Sequence, residues 1–232
     1  MKKLESFHCL LIVSMFMGGK VKAEDWPNLN RYKKENTTLK PLETGQKRIV
    51  FFGDSITEFW STLDPEYFSG KPYVNRGISG QTTPQMLLRF RSDVIALQPA
   101  VVIILAGIND IAGNTGPMII EMIRDNIFSM IELAKANHIK VILCSILPAY
   151  DFPWKPNQEP IAKIKALNEI LQNYAAANNI VYLDYYSAMV DERKGLKEDY
   201  SDDGVHPNKT GYRVMAPIAD KAIALVFNVK KN

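Results

Sequence analysis

Five residues of this chain carry groups that could act together on a carbonyl carbon: Ser55, Gly80, Asn109, Asp203 and His206. Ser55 lies in RIVFFGDSITEFW, residues 48 to 60, where a short apolar run breaks into Gly53-Asp54-Ser55. A serine hydroxyl is a poor nucleophile until a base takes its proton, and an imidazole serves as that base when an acceptor on its other nitrogen fixes the tautomer. Asp203 stands three residues before His206 in DDGVHP, so one short loop offers both base and orienter. Asp202 is the neighbouring alternative, and the D-x-x-H spacing favours Asp203. Attack on an ester also creates an oxyanion, which needs fixed donors worth roughly 3 kcal/mol each. The backbone amides of Ser55 and Gly80 and the side-chain amide of Asn109 are the candidates. Gly80 is expected there because a bulky side chain would obstruct close approach of backbone to substrate.

Competing chemistry fits less well. Of the two histidines after residue 23, His138 in KANHIKVIL falls at a turn into a strand, at the opposite edge from Ser55. Asp54, Asp110 and Asp184 suggest a hard-cation site for phosphotransfer. No lysine follows the last strand to hold a phosphoryl group, and that reading leaves Gly80, Asn109 and His206 without a role. Asp54 and Asp110 are therefore assigned to turns and helix caps, and neither a metal nor a cofactor is expected. A G-x-S-x-G nucleophile elbow is excluded by Thr57, two residues after Ser55. A carbohydrate-binding or scaffold protein that keeps such a fold without activity is disfavoured because Ser55, Asn109, Asp203 and His206 are all present.

These residues have to be carried to one place by the elements between them. Apolar runs of strand length occur at 49–52, 101–106, 141–147 and 180–185, with a shorter candidate at 72–77. They are near-continuous rather than alternating, as in parallel strands covered on both faces. Segments 82–97, 117–137, 160–178 and 208–227 have helical spacing, with start signals at Thr83-Pro84 and Pro117. The alternation predicts a three-layer α/β/α sandwich on a flavodoxin-like, five-stranded parallel sheet of order 2-1-3-4-5. Ligands of such sheets bind outside the carboxyl ends of the strands, where the Ser55, Gly80, Asn109 and His206 segments all fall. The proline-rich loop 149–160 reaches the same edge with Tyr150, Phe152 and Trp154.

The chain of 232 residues is long enough for one sizeable core, and no linker divides it. Its start, MKK followed by FHCLLIVSMFM and Val21-Lys22-Ala23, has the pattern of a cleaved export signal over residues 1–23. The apolar run is short of the roughly 20 residues of a spanning helix, so 24–232 is expected to be a single exported domain without a membrane span. Export would place it in the periplasm or outside the cell. Losing residues 1–23 removes four lysines and one glutamate, which takes the formal charge from +3 to zero. With no basic stripe, nucleic acid is not an expected partner. Cys144 would then be the one cysteine left, mid-strand and without a disulfide partner.

The blocks FFGDSIT, RGISGQ, GIND and DGVHP resemble, in order and over nearly the whole chain, the four signature blocks of the SGNH, or GDSL, hydrolase superfamily. The resemblance implies Ser55 as nucleophile, Ser55, Gly80 and Asn109 as oxyanion donors, His206 as base and Asp203 as its orienter. NRGISGQTTPQMLLRF, GINDIAGNTGP and HPNKTGYRVMAP resemble a bacterial exported branch of GDSL-type acylhydrolases related to platelet-activating-factor acetylhydrolase-like esterases. The expected substrate is a short-chain ester, foremost an O-acetyl group on a glycan. A lysophospholipase or thioesterase type of lipid acylhydrolase is the alternative. Trp60 and Trp154 are candidates to stack on a sugar face, with ordinary core packing as the competing role.

Overall fold

The computed structural model describes residues 24–228; the export signal expected over 1–23 lies outside the described residues. Five strands, β1 (Ile49–Gly53), β2 (Tyr73–Gly77), β3 (Val101–Leu105), β4 (Lys140–Cys144) and β5 (Val181–Leu183), form one all-parallel sheet of order β2-β1-β3-β4-β5. The register aligns Gly53 with both Gly77 and Leu105, so β1, β2 and β3 end level and their following loops share an edge.

β1 and β3 are buried along their full length, which explains why their sequences run apolar without alternation. Each fully buried Val, Ile or Phe contributes roughly 1.5–3 kcal/mol relative to exposure. Five helices do most of the covering: α2 (Ser55–Leu63), α3 (Thr83–Asp93), α5 (Ile120–Ala136), α6 (Pro160–Ala177) and α8 (Lys209–Asn228). α3, α5 and α6 pack side by side, while α2 packs against α8. Short helices α1 (Lys33–Thr37), α4 (Ile108–Ile111) and α7 (Tyr186–Met189) complete the set. No helix among the described residues is long and apolar enough to cross a membrane.

Several boundaries differ from those expected, each for a local reason. The strand expected over 141–147 ends at Cys144, because the Ile146 amide turns to the Asn168 Oδ1 at 2.7 Å. That expected over 180–185 ends at Leu183, because the chain turns there into α7, with Asp184 accepting the Ser187 amide at 3.0 Å. Helix α3 starts at Thr83 and stops at Asp93, with a 3-10 turn at Ile95–Leu97. The helix expected from Pro117 begins at Ile120. α2 was not anticipated: Gly53-Asp54-Ser55 reads as a turn, yet Asp54 accepts the Ile56 amide at 3.0 Å and caps a helix that begins at Ser55 itself.

Candidate active site

Ser55 is the first residue of α2, so its amide lies in the helical turn that has no intrahelical acceptor. The strand end beneath it is a glycine by necessity. A Cβ on Gly77 would stand 2.1 Å from the Glu58 amide nitrogen, so only glycine lets the first turn of α2 lie across the end of β2. That contact sets the Ser55 turn against Ile78-Ser79-Gly80. Glu58 fastens it further by accepting the Ser79 amide at 2.7 Å while pairing with Arg31 at 3.1 Å. Gly80 has φ +75°, and a Cβ there would meet no atom within 4 Å. The glycine is therefore required by backbone conformation rather than by crowding from protein atoms.

Across the cleft, Ser55 Oγ lies 2.9 Å from His206 Nε2, and His206 Nδ1 lies 2.6 Å from Asp203 Oδ2. With Nδ1–H donating to Asp203, Nε2 is left as the acceptor for the serine proton. Asp203 is held by the loop it belongs to: its Oδ1 accepts the amides of Val205 and His206 at 2.9 and 2.7 Å. Partial burial works against its ionised form, but donation from the His206 ring and these two amides outweighs it and lowers its pKa. Ser201 braces the same loop, donating to the His206 carbonyl at 2.7 Å and accepting the Gly204 amide at 2.9 Å. Asp202 instead faces Asn208. His138 sits in the turn before β4, at the far edge of the sheet.

Asn109, in α4 directly after β3, is buried and donates from Nδ2 to the Gln81 carbonyl at 3.1 Å. Its other Nδ2 hydrogen and the Gly80 amide donate to no protein acceptor among the described residues. Ser55, Gly80, Asn109, Asp203 and His206 thus lie at the carboxyl ends of the strands, and the imidazole joins Ser55 to Asp203. Among the described residues, no three His, Cys, Asp or Glu side chains are grouped so as to hold a metal ion.

The two candidate tryptophans, Trp60 and Trp154, part company. Trp60 is 2% exposed, its ring stacked on Tyr67 at 4.7 Å and on Tyr212 at 5.4 Å, so it is a core residue and not a sugar platform. Trp154 is 45% exposed, with its ring 5.8 Å from that of His206, and Phe59 lies 5.4 Å from the imidazole.

Sequence reasoning missed Glu58, Gln81, Arg89, Asn114 and Ser201. Arg89 is fully buried on α3 and donates to the Gly53 and Arg76 carbonyls at 2.8 and 2.9 Å, to Gln81 Oε1 and to Asp93 at 3.2 Å. It thereby joins the ends of β1 and β2 to the residue after Gly80.

A model of the GDSL-like lipase/acylhydrolase family matches residues 51–214, which include Ser55, Gly80, Asn109, Asp203 and His206. The chain belongs to that family. Family membership implies ester hydrolase activity. This GDSL-like acylhydrolase is 48% identical to a candidate acylhydrolase of Bacteroides fragilis NCTC 9343, with a TM-score of 0.86 over 89% of this chain and all of that one. It is 47% identical to a GDSL-like lipase of Bacteroides thetaiotaomicron VPI-5482, with a TM-score of 0.82 over 86% of this chain and 98% of that one. A curated lipoprotein of Bacillus subtilis strain 168 is 31% identical over 121 residues, 45% of this chain. The GDSL-like chain spans about half, 50%, of that relative's length.

Asp54 and Asp110, in the loops that follow β1 and β3, are buried with no ion pair to a cation among the described residues. Burial raises Asp54 to about 7 and Asp110 to about 6, although Asp110 is partly compensated by the Thr83 amide and hydroxyl. A carboxyl whose folded pKa exceeds its unfolded value favours the folded state at low pH, and that advantage is lost as pH rises toward the folded value. For Asp54 the window runs from about 4 to about 7. The protein is therefore expected to lose on the order of 2–3 kcal/mol of stability through Asp54 between pH 5 and pH 8. Asp54→Asn keeps a capping oxygen for Ile56 and should flatten that slope. Urea denaturation of both proteins at the two pH values checks this, and an unaltered slope in the variant would assign the effect elsewhere.

Proposed function

We propose that this GDSL-like acylhydrolase is a serine esterase of short-chain carboxylic esters, foremost O-acetyl groups on carbohydrate, acting after export from the cytoplasm. Ser55 Oγ attacks the carbonyl carbon while His206 Nε2 takes its proton. The tetrahedral oxyanion is held by the Ser55 and Gly80 amides and the Asn109 side chain. As the ester C–O bond breaks, His206 returns the proton to the departing alcohol oxygen, leaving an acyl group on Ser55. Water then attacks that acyl-enzyme, giving its proton to His206, and the carboxylic acid leaves as Ser55 recovers the proton. Asp203 keeps the imidazole in the tautomer that accepts from serine and stabilises the imidazolium in between. None of these steps calls for a metal or cofactor.

The observation that carries this reading is the chain of contacts from Ser55 Oγ to His206 Nε2 at 2.9 Å and from His206 Nδ1 to Asp203 at 2.6 Å. The exposed Trp154 ring beside His206 supports a carbohydrate as the alcohol, since an indole face packs well on the apolar face of a sugar. The export signal read in residues 1–23 supports a substrate outside the cytoplasm.

The test is initial rate on p-nitrophenyl esters from acetate to palmitate. For acetate, kcat/KM is expected to exceed that for octanoate by about 10-fold or more, a difference that pocket fit around a few methylenes can supply. A maximum at medium or long chains would overturn the acetyl assignment in favour of a lipid or thioester acylhydrolase. No turnover of any ester by folded protein would overturn the esterase reading itself.

A further inference from the structure

Asn114 lies five residues beyond Asn109, in the turn that follows α4, and its side chain bridges the two loops that supply oxyanion donors. Its Nδ2 donates to Asn109 Oδ1 at 2.8 Å and lies 3.4 Å from the Gly80 carbonyl. Its Oδ1 accepts from the Trp154 indole Nε1–H at 3.2 Å, and its own amide donates to the Asn109 carbonyl at 3.0 Å. The turn is fastened from the Trp154 loop a second time, by Lys155 Nζ donating to the Gly113 carbonyl at 2.7 Å.

The order of donors and acceptors along this chain has a chemical cause. A side-chain amide can be turned end for end, and its partners decide which end faces where. An indole N–H only donates, so it draws the oxygen of Asn114 toward Trp154 and turns its nitrogen toward Asn109. Asn109 must then present its oxygen to Asn114. Its nitrogen is left facing the Gln81 carbonyl at 3.1 Å, with one hydrogen uncommitted among the described residues. A reversed Asn109 would set oxygen against the Gln81 carbonyl and turn an acceptor, not a donor, toward an oxyanion.

We infer that Asn114, itself oriented by the Trp154 indole N–H, is the positioning residue of the oxyanion hole, holding the Asn109 amide in its donating orientation and bracing it against the Gly80 peptide. The inference rests on the serine-esterase reading. It also gives Trp154 a second role: the ring that faces solvent beside His206 reaches the oxyanion donors through its nitrogen. Neither residue touches the reacting atoms, so both act through Asn109.

The experiment compares Asn114→Ala, Trp154→Phe and Ser55→Ala on p-nitrophenyl acetate, which has no sugar for the indole to bind. Phenylboronic acid serves as the probe of tetrahedral adducts on a reactive serine. Asn114→Ala is expected to lower kcat about 10- to 100-fold with KM within about twofold, since small misplacements of a donor are costly in the transition state. Trp154→Phe keeps the ring and loses the donor, and its kcat is expected to fall by a smaller factor, about 3- to 10-fold. The boronate inhibition constant should rise in step with the fall in kcat/KM. A role confined to folding would reduce the active fraction and leave that constant unchanged.

The inference is overturned if both variants keep kcat within about twofold of the parent, or if kcat falls while the boronate constant stays put. Should Asn114→Ala fail to fold, Trp154→Phe carries the test on the same two readouts. Activity that survives Ser55→Ala would overturn the serine-esterase reading and the inference with it, whereas an inactive Ser55→Ala beside unaffected Asn114 and Trp154 variants would overturn the inference alone.

Discussion

Ser55→Ala and His206→Ala are each expected to lower kcat/KM on p-nitrophenyl acetate by about four orders of magnitude or more, and the double variant to be little worse than either. In the proposed mechanism the two groups share one event, transfer of a proton from Oγ to Nε2 across 2.9 Å, so removing either removes the event. Activity that remains would come from substrate binding and the oxyanion donors. Loss of fold is not expected to confuse the result for Ser55, because Asp54, not Ser55, caps α2. Circular dichroism of each variant checks that point. A Ser55→Ala enzyme retaining more than about 1% of parental kcat/KM contradicts the assignment.

Arg89→Met is expected to destabilise the protein by about 3–5 kcal/mol, a large part of the 5–15 kcal/mol available to a typical domain. The Arg89 guanidinium and the Asp93 carboxylate are both buried, 3.2 Å apart, and burial lowers Arg89 to about 10 despite the pull of Asp93. It stays protonated at neutral pH. Removing it takes from buried Asp93 its cationic partner, leaving only the Asn36 and Ser92 side chains as neighbours, and takes one donor each from the carbonyls of Gly53 and Arg76. Arg89→Lys should recover little, because an ammonium cannot span the acceptors that the planar guanidinium reaches together. Urea denaturation at neutral pH gives the free energies, and a loss below about 1 kcal/mol would show that these contacts are not what holds the strand ends in place.

The geometry of the candidate site was legible wherever it is local in sequence. Asp203 and His206 share one loop, so their spacing announces the pair; GDS and GIND each follow a strand whose apolar run marks its end, and the Gly80 turn follows the shorter, more polar β2. The parts that hold these groups were not legible, because their partners are distant. Arg89 donates to Gly53, 36 residues away, and Glu58 accepts from Ser79, 21 residues away, with no spacing to announce either pairing. Asn114 was within reach, since it belongs to the GINDIAGNTGP stretch, but its partner Trp154 is 40 residues on.

Trp60 shows how proximity in sequence misleads. Five residues of α-helix separate it from Ser55, which turns its side chain about 140° around the axis, away from the active edge and onto the same inward face as Ile56. Had α2 been recognised, the apolar pair at positions 56 and 60 would have assigned Trp60 to the core. The central strands were plain in the sequence because full burial leaves a continuous apolar signature, and their order followed from right-handed crossovers. They overran at β4 and β5, where apolar residues continue past the last ladder hydrogen bond into buried loops such as Ile146-Leu147.

The central claim is that Ser55 becomes covalently acylated, and the most direct measurement is the intact mass of the protein after treatment with a fluorophosphonate ester, followed by mapping of the modified peptide. One phosphonyl group per chain, located on Ser55, absent from Ser55→Ala and gained in parallel with loss of esterase activity, is the expected result. Loss of activity with no adduct, or with the adduct on another residue, would contradict it.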